Sequence, residues 1–309
     1  MMISNIIRKL LSLLSSWYPN KEISKKRDNY LRNLILSKID KIKVNKNNLQ
    51  KTHKNFNIQL LKLLKDPEIK NFLRKSFIQK MFFLHNRLFI YKELREIKKS
   101  KNWKLYKKIL EEDNIGNPIR YFLYLNSSGN RINHVFHLYI LEKELKIDLK
   151  KDIKKIFEFG AGYGCMARIF SKINTKIKYT CFDTHYVNLL QYYYLSHNNL
   201  DVGFSKEKKY FLTSNLKSSN DKSDLFIANW SLSETPANFR KKFTPQISKC
   251  KYILISFQEK FENINNFKYF KNLKSKLKNK FEIKILKNPF YNGNLFVKQN
   301  HYFLIGKKL

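Results

Sequence analysis

Three of the chain's eight glycines fall at alternate positions in one short stretch, Glu158-Phe159-Gly160-Ala161-Gly162-Tyr163-Gly164. An apolar run, Lys155–Phe159, leads into it and an amphipathic helical pattern, Met166–Ile173, leads out. Glycine loses more backbone freedom on folding than any other residue, so a cluster of this kind marks a tight turn or a close approach of backbone to a ligand. A strand, a glycine loop and a helix in that order build the nucleotide-binding crevice of a doubly wound α/β sheet. The spacing, acid-x-Gly-x-Gly-x-Gly, differs from the dinucleotide fingerprint G-x-G-x-x-G. On the loop alone, a plain glycine turn between strand and helix is an equal alternative.

The chain downstream settles the fold class. Strand patterns at Lys155–Phe159, Lys178–Phe182, Tyr210–Thr213, Asp224–Asn229 and Lys251–Phe257 alternate with helical patterns at Met166–Ile173, His185–Leu195, Pro236–Ser248 and Asn266–Asn279. That alternation predicts a parallel sheet with helices on its faces. Two last strands, Phe281–Leu286 and His301–Gly306, follow each other without a helix and predict an antiparallel edge. The expectation is an α/β, Rossmann-like, seven-stranded sheet over residues 115–309.

Upstream, residues 1–114 read as a helical N-terminal region. Apolar residues recur at three- and four-residue steps from Phe56 to Leu110, which predicts two to four helices whose aromatic residues serve as core. Residues 24–55 read as an irregular or exposed helical connection. Residues 3–17 form a short amphipathic pattern, with Ile3, Ile6, Ile7, Leu10, Leu14 and Trp17 on one face, stopped by Pro19. This helix either packs on the body of the protein or lies in a membrane interface beside the basic stretch Lys21–Lys46. Arg8 and Lys9 interrupt its apolar side, unlike a signal peptide. A further helix, Arg131–Leu145, delivers the chain to the first strand, so Asn130, Arg131 and His134 are candidates for one wall of the crevice.

Charge bears on partners. Sixty-two Lys and Arg against 24 Asp and Glu leave a formal net charge of +38. Nucleic acid, an anionic membrane face and an acidic glycan could each use it. Abundant Lys, Asn, Ile and Phe with scarce Gly and Pro also follow from A- and T-rich codons, which accounts for part of the excess. The basic residues are dispersed and no RNA-binding module is legible, which disfavours nucleic acid. Cys165, Cys181 and Cys250 have no metal-like spacing, and an odd count without a framework fits a reducing cytoplasm. No apolar run is long enough to span a bilayer. The expected location is therefore cytoplasmic, with peripheral contact at the inner membrane face as an extension. No Asp/His cluster calls for a metal.

Two further stretches place chemistry at the carboxyl ends of strands. Asp183 ends the second strand, 25 residues after Glu158, where an acid can accept hydrogen bonds from both hydroxyls of a ribose. Capping the following helix is the plainer role. The segment Asp224-Leu225-Phe226-Ile227-Ala228-Asn229-Trp230-Ser231-Leu232-Ser233-Glu234 sets polar groups beyond another strand. A poor nucleophile such as a hydroxyl needs a base as its bond forms. Glu234 is the first candidate, His185 and His301 the others, with helix capping an equal role for Glu234.

The glycine loop, with its preceding acid, resembles motif I of the class I S-adenosylmethionine-dependent methyltransferases. The strand order from about residue 150 is similar to that fold throughout. The resemblance implies S-adenosylmethionine as cofactor, the loop Gly160, Ala161, Gly162, Tyr163 and Gly164 under its amino-acid part, and Asp183 on its ribose. It further implies a supporting role for Glu158 and adenine contacts from the loop after the third strand, with Thr213, Ser214 and Asn215 there. Asn229 joins the cofactor-binding candidates. Amine methyltransferases commonly carry Asp/Asn-Pro-Pro-aromatic where this chain has Asn229-Trp230-Ser231-Leu232, so the missing prolines count against amine methylation. With its Ser-Leu-Ser-Glu ending, the Glu-Phe-Gly-Ala-Gly-Tyr-Gly loop and Gly116-Asn117-Pro118, the chain resembles the bacterial sugar O-methyltransferases of surface-polysaccharide gene clusters over residues 115–309. That resemblance implies an acceptor hydroxyl on a surface glycan or its precursor, acidic or lipid-linked. Two alternatives stand beside it: an RNA methyltransferase, on charge alone, and a non-catalytic helical interaction protein whose Rossmann-like half is structural.

Overall fold

Strands β1 (Lys155–Phe159), β2 (Lys178–Phe182), β3 (Val202–Gly203), β4 (Tyr210–Thr213), β5 (Leu225–Asn229), β6 (Tyr252–Gln258), β7 (Phe281–Lys287) and β8 (His301–Lys308) form one sheet in the order β7-β8-β6-β5-β1-β2-β4-β3. This is a computed structural model; it describes residues 6, 10–15, 18, 22–39, 51–82, 84, 86–217, 221–290 and 299–309. The first six strands pair in parallel. Only β8 runs against its neighbours β6 and β7. Strand order reverses direction between β1 and β5, and at such a switch point the carboxyl ends of an open α/β sheet diverge into a crevice. The sheet is the Rossmann-like α/β one expected, with one addition: β3, two residues long, extends the edge and pairs with β4. A two-residue strand carries no alternation to read.

The strands alternate which face each residue serves. Ile156, Tyr179, Leu212, Ile227 and Leu254 point into one core, and Phe157, Phe182, Phe226, Ile253 and Ile255 into another. The second core is roofed by short helices. The pattern Pro236–Ser248, expected as one helix, is two, Ala237–Lys241 and Thr244–Lys249. Pro245 stands at the start of the second, where its missing N–H costs nothing, whereas inside one continuous helix it would remove a hydrogen bond.

The first core is shared with the N-terminal region. Helices α1 (Lys25–Ile39), α2 (Lys51–Lys65), α3 (Ser76–Phe82), α4 (Leu88–Lys98) and α5 (Trp103–Leu110) precede the long α6 (Gly129–Leu145), with α7 (Cys165–Ile173) and α8 (His185–His197) inside the sheet region. Leu31, Leu60, Phe72, Ile90 and Ile109 belong to the same continuous core as Ile156 and Leu190. The connection expected to be irregular or an exposed helix contains α1, which is not exposed throughout but buries Leu31, Ile35 and Ile39. Its buried Asp28 is hydrogen-bonded by Tyr193 of α8, and Arg27 reaches the Ser196 carbonyl. Within the amphipathic stretch 3–17, residues 10–15 are helical; its other positions, Ile6 apart, lie outside the described residues. No described helix is long and apolar enough to cross a membrane.

Candidate functional site

The glycine loop is a cradle whose backbone shape side chains would strain. Gly160, Gly162 and Gly164 all have positive φ, at 66°, 56° and 95°. A Cβ on Gly160 would stand 2.2 Å from Cβ of Ser231, so loop and strand-β5 turn touch backbone to side chain. Ser231 Oγ donates to the Phe159 carbonyl at 2.5 Å, and Gly160 N–H donates to the Phe182 carbonyl at 2.8 Å. Gly164 starts α7 at the N-cap position. Cys165, next to it, is buried and its thiol is pushed up to about 12 by desolvation, which leaves it without thiolate character at neutral pH.

Two carboxyl groups flank the cradle. Asp183 accepts from Gly162 N–H through Oδ2 at 3.0 Å and from Thr184 N–H through Oδ1 at 2.8 Å. Each oxygen keeps lone pairs for another donor. Burial lifts its pKa to about 7, against the two backbone bonds that favour the ionised form. Glu158, 2% exposed, accepts from the Tyr179 hydroxyl at 2.7 Å. Desolvation raises it to about 8, helped by the nearby Asp183 charge.

A cleft of about 180 Å3 opens beside the cradle. Glu158, Gly160, Ala161, Gly162, Tyr163 and Cys165 form one wall, and Asn229, Trp230 and Glu234 another. Of the candidates named from sequence, the structure therefore brings Glu158, the loop, Asn229 and Glu234 together. Asp183 stands beneath the loop at Gly162. Asn215 is exposed, with Oδ1 accepting from Lys217 N–H at 3.0 Å, and is not among the lining residues. His185 is exposed too, its ring 3.0 Å from Ser214 Oγ, on the side of β4 rather than at the cleft. His301 lies behind the lining, edge-on to Trp230 at 5.8 Å.

Glu234 closes the turn Ser231–Glu234, which follows β5. Gln258 Nε2 donates to its Oε1 at 3.3 Å, and Ser233 Oγ holds Gln258 Oε1 at 2.7 Å. The buried Arg240 binds the Ser233 and Thr235 carbonyls and Asn266, fixing the turn. Desolvation lifts Glu234 to about 7, the range in which a carboxylate can take a proton at neutral pH.

The wall contributed by α6 was only half legible. Asn130, Asn133, His134 and His137 all line the cleft. Their offsets of three, four and seven residues put them on one helical face. Asn130 Nδ2 donates to Tyr163 Oη at 3.0 Å while its Oδ1 accepts from Leu84 N–H at 3.4 Å, joining loop to N-terminal region. Arg131, a candidate for this wall, is buried behind it instead. It pairs with Glu112 at 2.8 Å and Asp113 at 2.7 Å, because its offset turns it to the opposite side. His137 carried the same helical spacing as Asn130 and His134, and that period was the signal for it. The third wall, Gln79, Lys80, Met81, Phe82 and Leu84, comes from α3 and the residues after it. Phe82 approaches Gly162, where a Cβ would sit 3.3 Å from its ring. Nothing in the sequence distinguishes that aromatic residue from ordinary core.

No family model matches the sequence, and no curated protein matches it. Solved structures are similar to the chain in fold. A Thermoplasma acidophilum protein, 9% identical, covers 68% of this chain and 98% of its own with a TM-score of 0.42. A SAM dependent methyltransferase from Aquifex aeolicus, 14% identical, covers 56% of this chain and 92% of its own with a TM-score of 0.39. A small RNA methyltransferase, 13% identical, covers 56% of this chain and 24% of its own with a TM-score of 0.40. What the chain acts on has to be read from its own cleft.

Proposed function

We propose that the chain is an S-adenosylmethionine-dependent O-methyltransferase whose acceptor is a sugar hydroxyl of a surface glycan or its precursor. The observation that carries this reading is one cleft joining a glycine cradle, flanked by the buried Glu158 and the half-buried Asp183, to a third carboxyl poised near neutrality. The residues present fit the donor. Gly160 and Gly162 leave the backbone bare, Asp183 retains lone pairs that would accept from ribose hydroxyls, and Glu158 would support the loop at the methionine end. Asn215, in the loop after β4, would meet the adenine side.

S-adenosylmethionine supplies, when bound, a methyl group on a sulfonium leaving group. The protein's task is then alignment, with the acceptor oxygen held in line and water kept out. Glu234 takes the hydroxyl proton as the new carbon–oxygen bond forms. Its raised pKa matches that duty, since a carboxylate at about 4 would be too weak an acceptor for an alcohol proton. Trp230, Phe82 and Met81 line the cleft and exclude water from it. His185 and His301 take no part in this scheme, because neither lines the cleft.

The excess positive charge stays outside. Lys80 is the only Lys or Arg among the described residues lining the cleft, so the charge serves approach to an anionic acceptor or membrane face, not the reaction. The same charge favours RNA as an alternative acceptor. Incubation with methyl-labelled S-adenosylmethionine and a mixture of sugar nucleotides, glycolipid and RNA separates the readings. The expected product is an O-methyl sugar recovered after acid hydrolysis. Label confined to RNA would replace the sugar assignment.

A further inference from the structure

His137 and Asn229 line the cleft together, and neither has a part in holding the donor through the bonds described above. His137 is 1% exposed. Its Nδ1 is 2.9 Å from Asn229 Oδ1, and Ser256 Oγ holds the same oxygen at 3.3 Å. The far atoms of the pair, His137 Nε2 and Asn229 Nδ2, are closed off from bulk solvent and meet no protein partner. A buried polar atom left unpaired costs about 1–3 kcal/mol, so two of them on one bonded pair, in a cleft, point to a ligand that completes them.

Counting donors and acceptors identifies that ligand's chemistry. A neutral imidazole has one donor and one acceptor, and a carboxamide has both kinds. The bond between His137 and Asn229 uses one donor and one acceptor, whichever tautomer and amide orientation is present. One donor and one acceptor therefore remain, one on each residue. A sugar, whose several hydroxyls both donate and accept, completes both. A carboxylate or phosphate can only accept, and an ammonium can only donate. Burial and the neighbouring His134 press His137 down to about 3, so the ring stays neutral and offers no cation to an anion.

Trp230 stands beside the pair. Its ring is edge-on to His137 at 5.8 Å. Its backbone holds φ at 61°, a left-handed value that costs a bulky residue about 1–3 kcal/mol and is retained at functional sites. The strained residue presents a flat apolar surface next to a hydroxyl-reading pair, as the C–H faces and O–H edges of a pyranose require.

We propose that His137 and Asn229, flanked by Trp230, form the subsite that anchors hydroxyls of the acceptor, and that the acceptor enters this corner uncharged. The proposal rests on the methyl-transfer reading for its purpose, but binding alone tests it. The probes are methyl α-D-mannopyranoside and cyclohexanecarboxylate, followed by saturation-transfer NMR on protein loaded with S-adenosylhomocysteine. Wild type is expected to bind the glycoside and not the carboxylate. His137→Phe, which keeps the volume and removes both polar atoms, is expected to weaken glycoside binding at least tenfold. His137→Gln, which restores a donor and an acceptor, is expected to recover most of it. Unchanged S-adenosylhomocysteine affinity in both variants reports an intact cleft. Equal glycoside binding by His137→Phe and wild type would assign the unpaired atoms to ordered water and overturn the subsite. Absence of glycoside binding by wild type, or preference for the carboxylate, would also overturn it. Failure of the methyl-donor reading shows separately, as no S-adenosylhomocysteine binding by wild type, and the glycoside comparison is then made on unloaded protein.

Discussion

Glu234 is the proposed general base. A base acts in its ionised form, and the folded protein holds this carboxyl at about 7. Turnover should therefore rise with pH up to about 7 and level off above it. Glu234→Gln should lower turnover about 100-fold, the usual scale for losing a general base, and flatten that limb while leaving donor affinity intact. A steady-state pH profile of both proteins checks this; unchanged turnover in the variant would exclude the base role. Gly160→Ala is a sharper steric test. Its Cβ would land 2.2 Å from Ser231 Cβ, in a backbone conformation that alanine resists, so donor affinity should fall below detection in calorimetry. Residue by residue, the sequence was eloquent about glycines and acids at strand ends, because their chemistry is local. It marked His137 only by its helical spacing from Asn130 and His134, and was nearly silent about Phe82, whose significance depends on which surface it meets.

Elements were legible where periodicity was strong. Strands at Lys155–Phe159, Lys178–Phe182 and Tyr210–Thr213 were expected with the bounds observed, since buried parallel strands write continuous apolar runs. Helix α1, expected as an irregular or exposed helical connection, is instead packed: Leu31, Ile35 and Ile39 are buried with Asp28, and Leu34 and Leu36 rest on the same core. What locks the elements around the cleft is a buried ion cluster that no local pattern announces. Arg131 of α6 meets Glu112 and Asp113, and Arg168 of α7 joins Asp113 at 2.8 Å. Arg131, Arg168 and Lys172 together hold Asp113 well below the usual carboxylate range, against a large desolvation cost. Removing one member leaves the others buried and uncompensated. Arg131→Met should destabilise the protein by about 3–5 kcal/mol, read as a lowered midpoint in urea, although Arg131 never touches the cleft.

At the scale of the molecule, the N-terminal helices and the sheet share one core, and the cleft takes walls from both. Helix α6 spans that junction, with Asn130 tying Leu84 to Tyr163. Several of the carboxyls buried near it are raised together: Glu93 and Glu158 to about 8, Asp183 and Glu234 to about 7. Glu93 is fully buried, with both oxygens on Asn133 Nδ2 at 3.0 and 3.1 Å. The sign follows from proton counts. Between the unfolded values near 4 and these folded values, the unfolded chain has released protons that the folded chain still holds, so stability falls as pH rises through that window. Glu93→Gln, which mimics the protonated acid at every pH, should raise Tm relative to wild type at pH 8, with the difference shrinking towards pH 5. An equal shift at both values would contradict the assignment.

Isothermal calorimetry with S-adenosylmethionine, on wild type and on Asp183→Ala, tests whether the glycine cradle with Asp183 holds a methyl donor. Saturable one-to-one binding by wild type is expected, weakened at least tenfold in Asp183→Ala, for the loss of ribose hydrogen bonds to a charged acceptor is worth about 1.5–3 kcal/mol. No binding by a folded wild type, or equal binding by both proteins, would contradict it.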